Sequence, residues 1–197
     1  EVIIALLVMT LLLSLDTLFV KHLFPPELAG QYAGIATIAR ILFYVSAPIV
    51  SVMLPAITLR DPESSKKTYL RTIVLTTVIC TAGVIIATLF PGQVTSVLLG
   101  DSFAGSANLL PRLALLAALV AILNVVVNYL LALRDKLALF VTMGGLATSV
   151  ILLGKYHSTI VDVIWSVSLG VVSSMVLYLL ACVLRKYRRN GLRNGTI

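Results

Sequence analysis

The chain has 197 residues, of which 59% are hydrophobic and 12% charged, with a formal net charge of +7 and a mean hydropathy of +1.07. A soluble globule of this size cannot hide that much apolar surface, so lipid must cover the rest. The basic residues fall in short clusters between long apolar runs, which is the pattern of membrane anchoring and excludes nucleic acid as a partner.

Six apolar runs are long enough to cross about 30 Å of hydrocarbon as helices. The first extends from Val2 to Leu23. It lacks a basic n-region and a small-residue cleavage site, so it is a span and not a signal peptide, and its opening on Glu1 without an initiator Met suggests a piece of a longer protein. Pro25 and Pro26 break the pattern, and Pro26 with Glu27 suits the start of a second helix over residues 27–59. That helix would be about 50 Å long, so it is expected to tilt, to kink near Pro48 or Pro55, or to protrude from the membrane. The third span covers residues 69–90 and stops at Pro91-Gly92. The segment QVTSVLLGDSFAGSANLL is too short and mixed to cross, and reads as an interfacial helix and turn. The remaining spans are 110–133, 137–153 and 160–184, followed by a basic tail over 185–197. The predicted class is therefore an all-α integral membrane bundle of six transmembrane helices.

Orientation follows from lysine and arginine. Arg60, Lys66, Lys67, Arg71, Arg134, Lys136, Arg185, Lys186, Arg188, Arg189 and Arg193, eleven in all, lie at alternate connections and in the tail, whereas the opposite connections hold only Lys21, Arg112 and Lys155. This bias places the clusters and both ends of the chain in the cytoplasm. An even number of spans would let a homologous upstream half enter the membrane in the same orientation, as a parallel repeat.

Catalysis finds no support in the sequence. Neither His22 nor His157 has a cysteine or a second histidine beside it to make a relay or metal pair, and there is no Walker-type phosphate loop. Cys80 and Cys182 sit inside apolar runs without metal-type spacing, so neither a zinc site nor a disulfide framework is expected. No enzyme activity, cofactor or metal is expected from this chain.

The residues that carry a resemblance are DTLFVKHLFPPELAGQYAGIATIARILFYVSAPIVSVMLP, from Asp16 to Pro55, and VLLGDSFAGSANLLPRLALLA, from Val97 to Ala117. The first resembles the opening helix pair of one half of the polysaccharide-exporting flippases in the multidrug, oligosaccharidyl-lipid and polysaccharide transporter superfamily. In that pattern an Asp-containing helix ends at a Lys-bearing rim, a Pro/Glu turn leads to Gly-x-Tyr, and the next helix closes with Pro before a basic loop. The second is similar to the outer loop and following helix of the same proteins. The resemblance implies the C-terminal half of a two-lobed transporter in a prokaryotic cytoplasmic membrane. Its cargo would be a lipid-linked oligosaccharide or polysaccharide repeat unit, and its partners the membrane lipids and a missing N-terminal half. Alternatives are a peptidoglycan-precursor flippase or a drug/cation antiporter of the same superfamily, or a non-transporting membrane scaffold.

Ionisable groups deep in hydrocarbon cost several kcal/mol unless they face a polar cavity or a partner, which singles out Asp16 and Arg40. Asp16 lies about 7 residues (~10 Å) inside one helix and Arg40 about 13 residues (~20 Å) inside the next. The difference in depth favours Arg40 lining a cavity over a direct ion pair, and leaves Asp16 open between a coupling and a structural role. Arg40 and Lys21 are the candidates to attract the diphosphate of a lipid carrier. Thr10, Ser14, Thr17 and Lys21 share one face of the first helix, with Asp16 about 100° from Thr17. On the fourth span Ala114, Ala117, Ala121, Asn124 and Asn128 form a stripe, and the two asparagines are expected to line a cavity or to bond across a helix interface. Gly30/Gly34 and Ser166/Gly170/Ser174 have the spacing of close helix contacts.

Overall fold

The computed structural model describes residues 2–58 and 62–194, apart from the side chains of residues 56, 58, 62 and 186–194. Arg60, residues 195–197 of the tail, and the side chains of Lys186, Arg188, Arg189 and Arg193 thus lie outside the described residues. Helices end where the sequence punctuates the apolar runs. α1 (Val2–Leu23) is followed by the Pro25-Pro26 break, and α2 (Pro26–Thr58) starts on Pro26 with Glu27 in its first turn, where a fixed φ and an acidic side chain both favour a helix start. α2 runs helically through Pro48 and Pro55. α3 (Pro62–Leu89) begins seven residues before the expected Tyr69, with Glu63 pairing Lys67 at 3.3 Å one turn on. A hydropathy window ends where the side chains become charged, but the backbone ladder can continue into water on i,i+4 pairs.

The interfacial segment is α4 (Pro91–Leu99), a turn at Gly100 with φ +88, and a 3₁₀ segment from Asp101 to Leu109 that feeds α5 (Leu110–Ala132). α6 (Leu137–Lys155) and α7 (Ile160–Asn194) complete the chain. α7 opens with a reciprocal cap: Thr159 Oγ1 accepts the Asp162 N–H at 3.1 Å, and Asp162 Oδ2 accepts the Thr159 N–H at 2.9 Å.

Six of these helices are long and apolar enough to cross a membrane, and the chain is an all-α multi-pass bundle. Six crossings put the α1–α2 turn, α4 with the 3₁₀ segment, and the α6–α7 turn on one rim. The α2–α3 and α5–α6 turns lie on the other, more basic rim. α5 is the spine: 78% of its membrane window is buried, against 22–33% for the other five. α1, α2, α3, α6 and α7 all pack on it and present their other faces outward, where Ile3, Val52, Val74, Ile151 and Leu179 stand exposed for lipid.

At the basic rim the α5–α6 turn closes in a Schellman pattern, with Asp135 N–H donating to Leu130 O at 2.9 Å and Arg134 N–H to Leu131 O at 3.0 Å. Arg134 occupies the left-handed position at φ +53 that glycine usually fills. Asp135 then accepts the Leu137 N–H at 3.0 Å and takes a two-pronged bond from Arg185 at the far end of α7. The Arg185 guanidinium holds the Asp135 carboxyl below its ordinary range. Arg185 is thus a structural tie between α7 and the α5–α6 turn as well as a member of the basic cluster.

Candidate functional site

The polar centre of the bundle is built on the α1–α2 hairpin. Arg40 Nη2 donates to Asp16 Oδ1 at 2.9 Å and to the Thr17 hydroxyl at 2.5 Å. Tyr32, fully buried, donates its hydroxyl to Asp16 Oδ2 at 2.7 Å, and Thr17 Oγ1 lies 3.4 Å from Asp16 Oδ1. Both carboxylate oxygens therefore have partners, which a carboxylate with only 3% of its side chain exposed requires.

Asp16 and Arg40 are paired directly, contrary to the expectation from depth. On every α-helix the Cα–Cβ bond tilts toward the N-terminus. α1 and α2 run in opposite directions, so Asp16 leans deeper into the membrane while Arg40 reaches back toward the α1–α2 turn. The two tilts and the long arginine stem close a gap of about six residues, or ~9 Å, counted along the axes. The angular separation of Asp16 and Thr17 on α1 does not divide them either, because one guanidinium nitrogen serves both.

The pair has a dry side and an open side. Toward α5 it meets Leu113, Leu116, Ala117 and Val120 around a void of about 10 Å³, at the lower limit for a single water. Away from α5, a groove of about 370 Å³ runs between α1 and α2, lined by Thr17, Lys21, Pro26, Ala29, Gly30 and Ala33. Thr17 joins the two, since the hydroxyl that accepts from Arg40 belongs to a residue of the groove wall. Arg40 keeps 17% of its side chain exposed, and its Nε and Nη1 hydrogens have no acceptor among the described residues. Lys21, one turn from Thr17, is exposed and has no ion-pair partner among the described residues.

No family model, curated protein or solved structure matches the chain. The arrangement therefore rests on its own chemistry: a neutralised ion pair with spare arginine donors, an exposed lysine, and a small-residue groove that admits a ligand to them. Such a face can take an anion at Lys21 and Arg40, and a change of charge at Asp16 would alter how firmly Arg40 is held.

The asparagines play a different part from the one expected. Asn128 Nδ2 donates to both the backbone oxygen and Oδ1 of Asn124, each at 2.8 Å. The bond runs along α5, with no bond across a helix interface among the described residues, and neither asparagine is part of the groove wall. The small-residue pairs also divide. Gly34 lets the Phe103 ring of the 3₁₀ segment approach α2, whereas Gly30 has open space around it and widens the groove. Gly170 and Ser174 do form a close contact, against Gly145 and Ser149 of α6, while Ser166 donates to Tyr156 O at 3.2 Å. Tyr32 is the site residue missing from the sequence reading. Its one signal was its place in the Gly30-x-Tyr32 turn-proximal motif, and a tyrosine buried in an apolar helix needs a hydrogen-bond partner.

Proposed function

We propose that the chain is the C-terminal half of a flippase that moves a lipid-linked oligosaccharide or polysaccharide repeat unit from the cytoplasmic to the outer leaflet by alternating access. The observation that carries this reading is the Asp16–Arg40 pair, placed within the hydrocarbon and opening through Thr17 onto the Lys21 groove. Ionisable residues inside membrane spans are rare, costly and characteristic of substrate and ion pathways. In this reading the α1–α2 face lines a cavity completed by a second half. Lys21 meets the diphosphate at the groove mouth, Arg40 receives it with its spare donors, and Asp16 sets the availability of Arg40 through its own charge state or a coupling cation. Gly30, Ala29 and Ala33 leave room for the sugar.

The decisive experiment separates binding from folding. The double variant Asp16→Asn/Arg40→Gln in the two-halved protein is expected to fold and insert, because no charge is stranded, and to lose flipping of a fluorescent lipid-diphosphate oligosaccharide in proteoliposomes. Arg40→Lys is expected to retain part of the activity, because a point charge still attracts phosphate. Restored flipping in the double variant would refute the role of Arg40 in binding.

The same reading places the basic rim in the cytoplasm, on the eleven-to-three bias of Lys and Arg. In a background with the exposed Cys182 replaced by serine, Ser102→Cys and Ser158→Cys should react with an impermeant maleimide in intact cells, and Lys66→Cys only after the membrane is opened. Lys66 is the better probe than its neighbour Ser65, which is buried with its hydroxyl on Ile57 O at 3.1 Å. Labelling of Lys66→Cys in intact cells would invert the orientation.

A further inference from the structure

α3 and α7 both pack against the α5 spine but touch each other little. At the basic rim they meet through Tyr69 and Tyr178, whose hydroxyls are 3.4 Å apart, with Tyr129 of α5 stacked on Tyr69 at 4.1 Å between ring centres. Toward the opposite rim the two helices leave a cleft of about 220 Å³ whose walls include Val84, Thr88, Leu115, Ile164 and Ser168, with Arg112 and Trp165 also lining it. Its hydroxyls do not make it polar: Thr88 Oγ1 donates to Val84 O and Ser168 Oγ to Ile164 O, each at 2.7 Å. Both are turned back onto their own helices, which leaves hydrocarbon as the matching content. Of the lining residues, Arg112 is exposed and makes one hydrogen bond among the described residues, at 3.5 Å to Asn108 O, and Trp165 is exposed with no acceptor for its indole N–H among them. The nearest carboxylate in the α7 sequence, Asp162, is committed to capping Thr159.

An apolar shaft ending in an exposed guanidinium with donors to spare and an indole N–H without an acceptor among the described residues has the two-part chemistry of a phospholipid. Tryptophan and arginine at headgroup level are the side chains that bridge hydrocarbon and phosphate, and a net positive mouth selects an anionic headgroup over a zwitterionic one. We propose that the α3–α5–α7 cleft holds one anionic phospholipid, with its phosphate on Arg112 and the Trp165 indole and one acyl chain lying along Leu115 and Ile164. This site is independent of the α1–α2 groove and of the transport reading.

Trp165 is the only tryptophan in the chain, so its fluorescence reports on this cleft alone. The chain would be reconstituted in bilayers of phosphatidylcholine with brominated phosphatidylglycerol, and in the reverse pair, and quenching would give the relative affinity of the two headgroups beside Trp165. The expected result is a preference of about fivefold for phosphatidylglycerol, the effect of one basic side chain at a membrane surface. It should vanish in Arg112→Gln and shrink in Ser168→Leu, which fills the cleft but keeps Arg112 and Trp165. Lys155→Gln, which removes the same charge elsewhere on that rim, should leave the preference intact. Equal affinities in the unmodified chain, a preference that survives Arg112→Gln, or one lost equally in Lys155→Gln would each overturn the proposal. In the last case the attraction would belong to the overall charge and not to a site.

Discussion

Replacing either Asp16 or Arg40 alone with alanine is expected to destabilise the bundle by about 3–5 kcal/mol, and replacing both to recover most of that loss. The asymmetry comes from desolvation. Asp16 has 3% and Arg40 17% of its side chain exposed, so removing one partner leaves the other charge in a low-dielectric interior with nothing to compensate it. Asp16→Ala does further damage, since the buried Tyr32 hydroxyl loses its acceptor, at about 1–3 kcal/mol for an unsatisfied buried group. Arg40→Ala leaves Asp16 with hydrogen bonds from the Tyr32 and Thr17 hydroxyls, so it should be the milder of the two. In the double variant the partners that remain are neutral, and Tyr32→Phe added to it should be nearly neutral because its acceptor is already gone. Melting temperatures of the three variants in one detergent form the thermodynamic cycle. Additive losses in the double variant would show that Asp16 and Arg40 are not energetically coupled. Recovery of stability without recovery of flipping is the combined outcome that the transport reading requires.

Much of the fold was legible because the membrane imposes a coarse rule: a span must be apolar for about 20 residues, and six such runs are plain in the sequence. The starts of α2, α5 and α6 agree within a residue for the same reason that they were readable, since Pro26, Pro111 and the Arg134-Asp135-Lys136 cluster interrupt the apolar pattern. The early start of α3 was not legible, because its first two turns carry the charges of Glu63, Lys66 and Lys67 and look like loop to a hydropathy window. Within the site, the two ionisable residues were found by their cost in hydrocarbon, whereas their contact was missed because distance along an axis ignores side-chain tilt. Tyr32 and the Asn124–Asn128 bond were illegible for another reason. A polar group's partner is a three-dimensional fact, and the same asparagine spacing serves an interface and an intrahelical bond equally well.

Gly170→Ala is expected to cost about 1–3 kcal/mol, the range for overpacking a well-packed contact, although alanine is the better helix former by about 1 kcal/mol. α6 and α7 approach each other through Gly145 and Gly170. A methyl group on Gly170 would lie 2.8 Å from the Gly145 carbonyl oxygen, and one on Gly145 would lie 2.9 Å from the Gly170 carbonyl oxygen. Each would also collide with a serine hydroxyl of the facing helix, Ser149 or Ser174 respectively. A serine can change rotamer, but a helical carbonyl cannot move without its backbone, so the helices must separate. That separation would break the bond from Ser174 Oγ to Val141 O, 2.9 Å long, which crosses the same interface. Adding Ser149→Ala should give little rescue, since the carbonyl contact persists and the Ser149 hydroxyl makes no hydrogen bond among the described residues to begin with. Gly30→Ala is the internal control: nothing lies within 4 Å of its added methyl, so the gain in helix propensity should appear undiminished as equal or higher stability. Thermal unfolding in the same detergent should therefore separate the two alanine variants, with Gly170→Ala falling and Gly30→Ala holding or rising. A Gly170→Ala protein as stable as Gly30→Ala would mean that α6 and α7 are not held at the glycine-to-glycine distance.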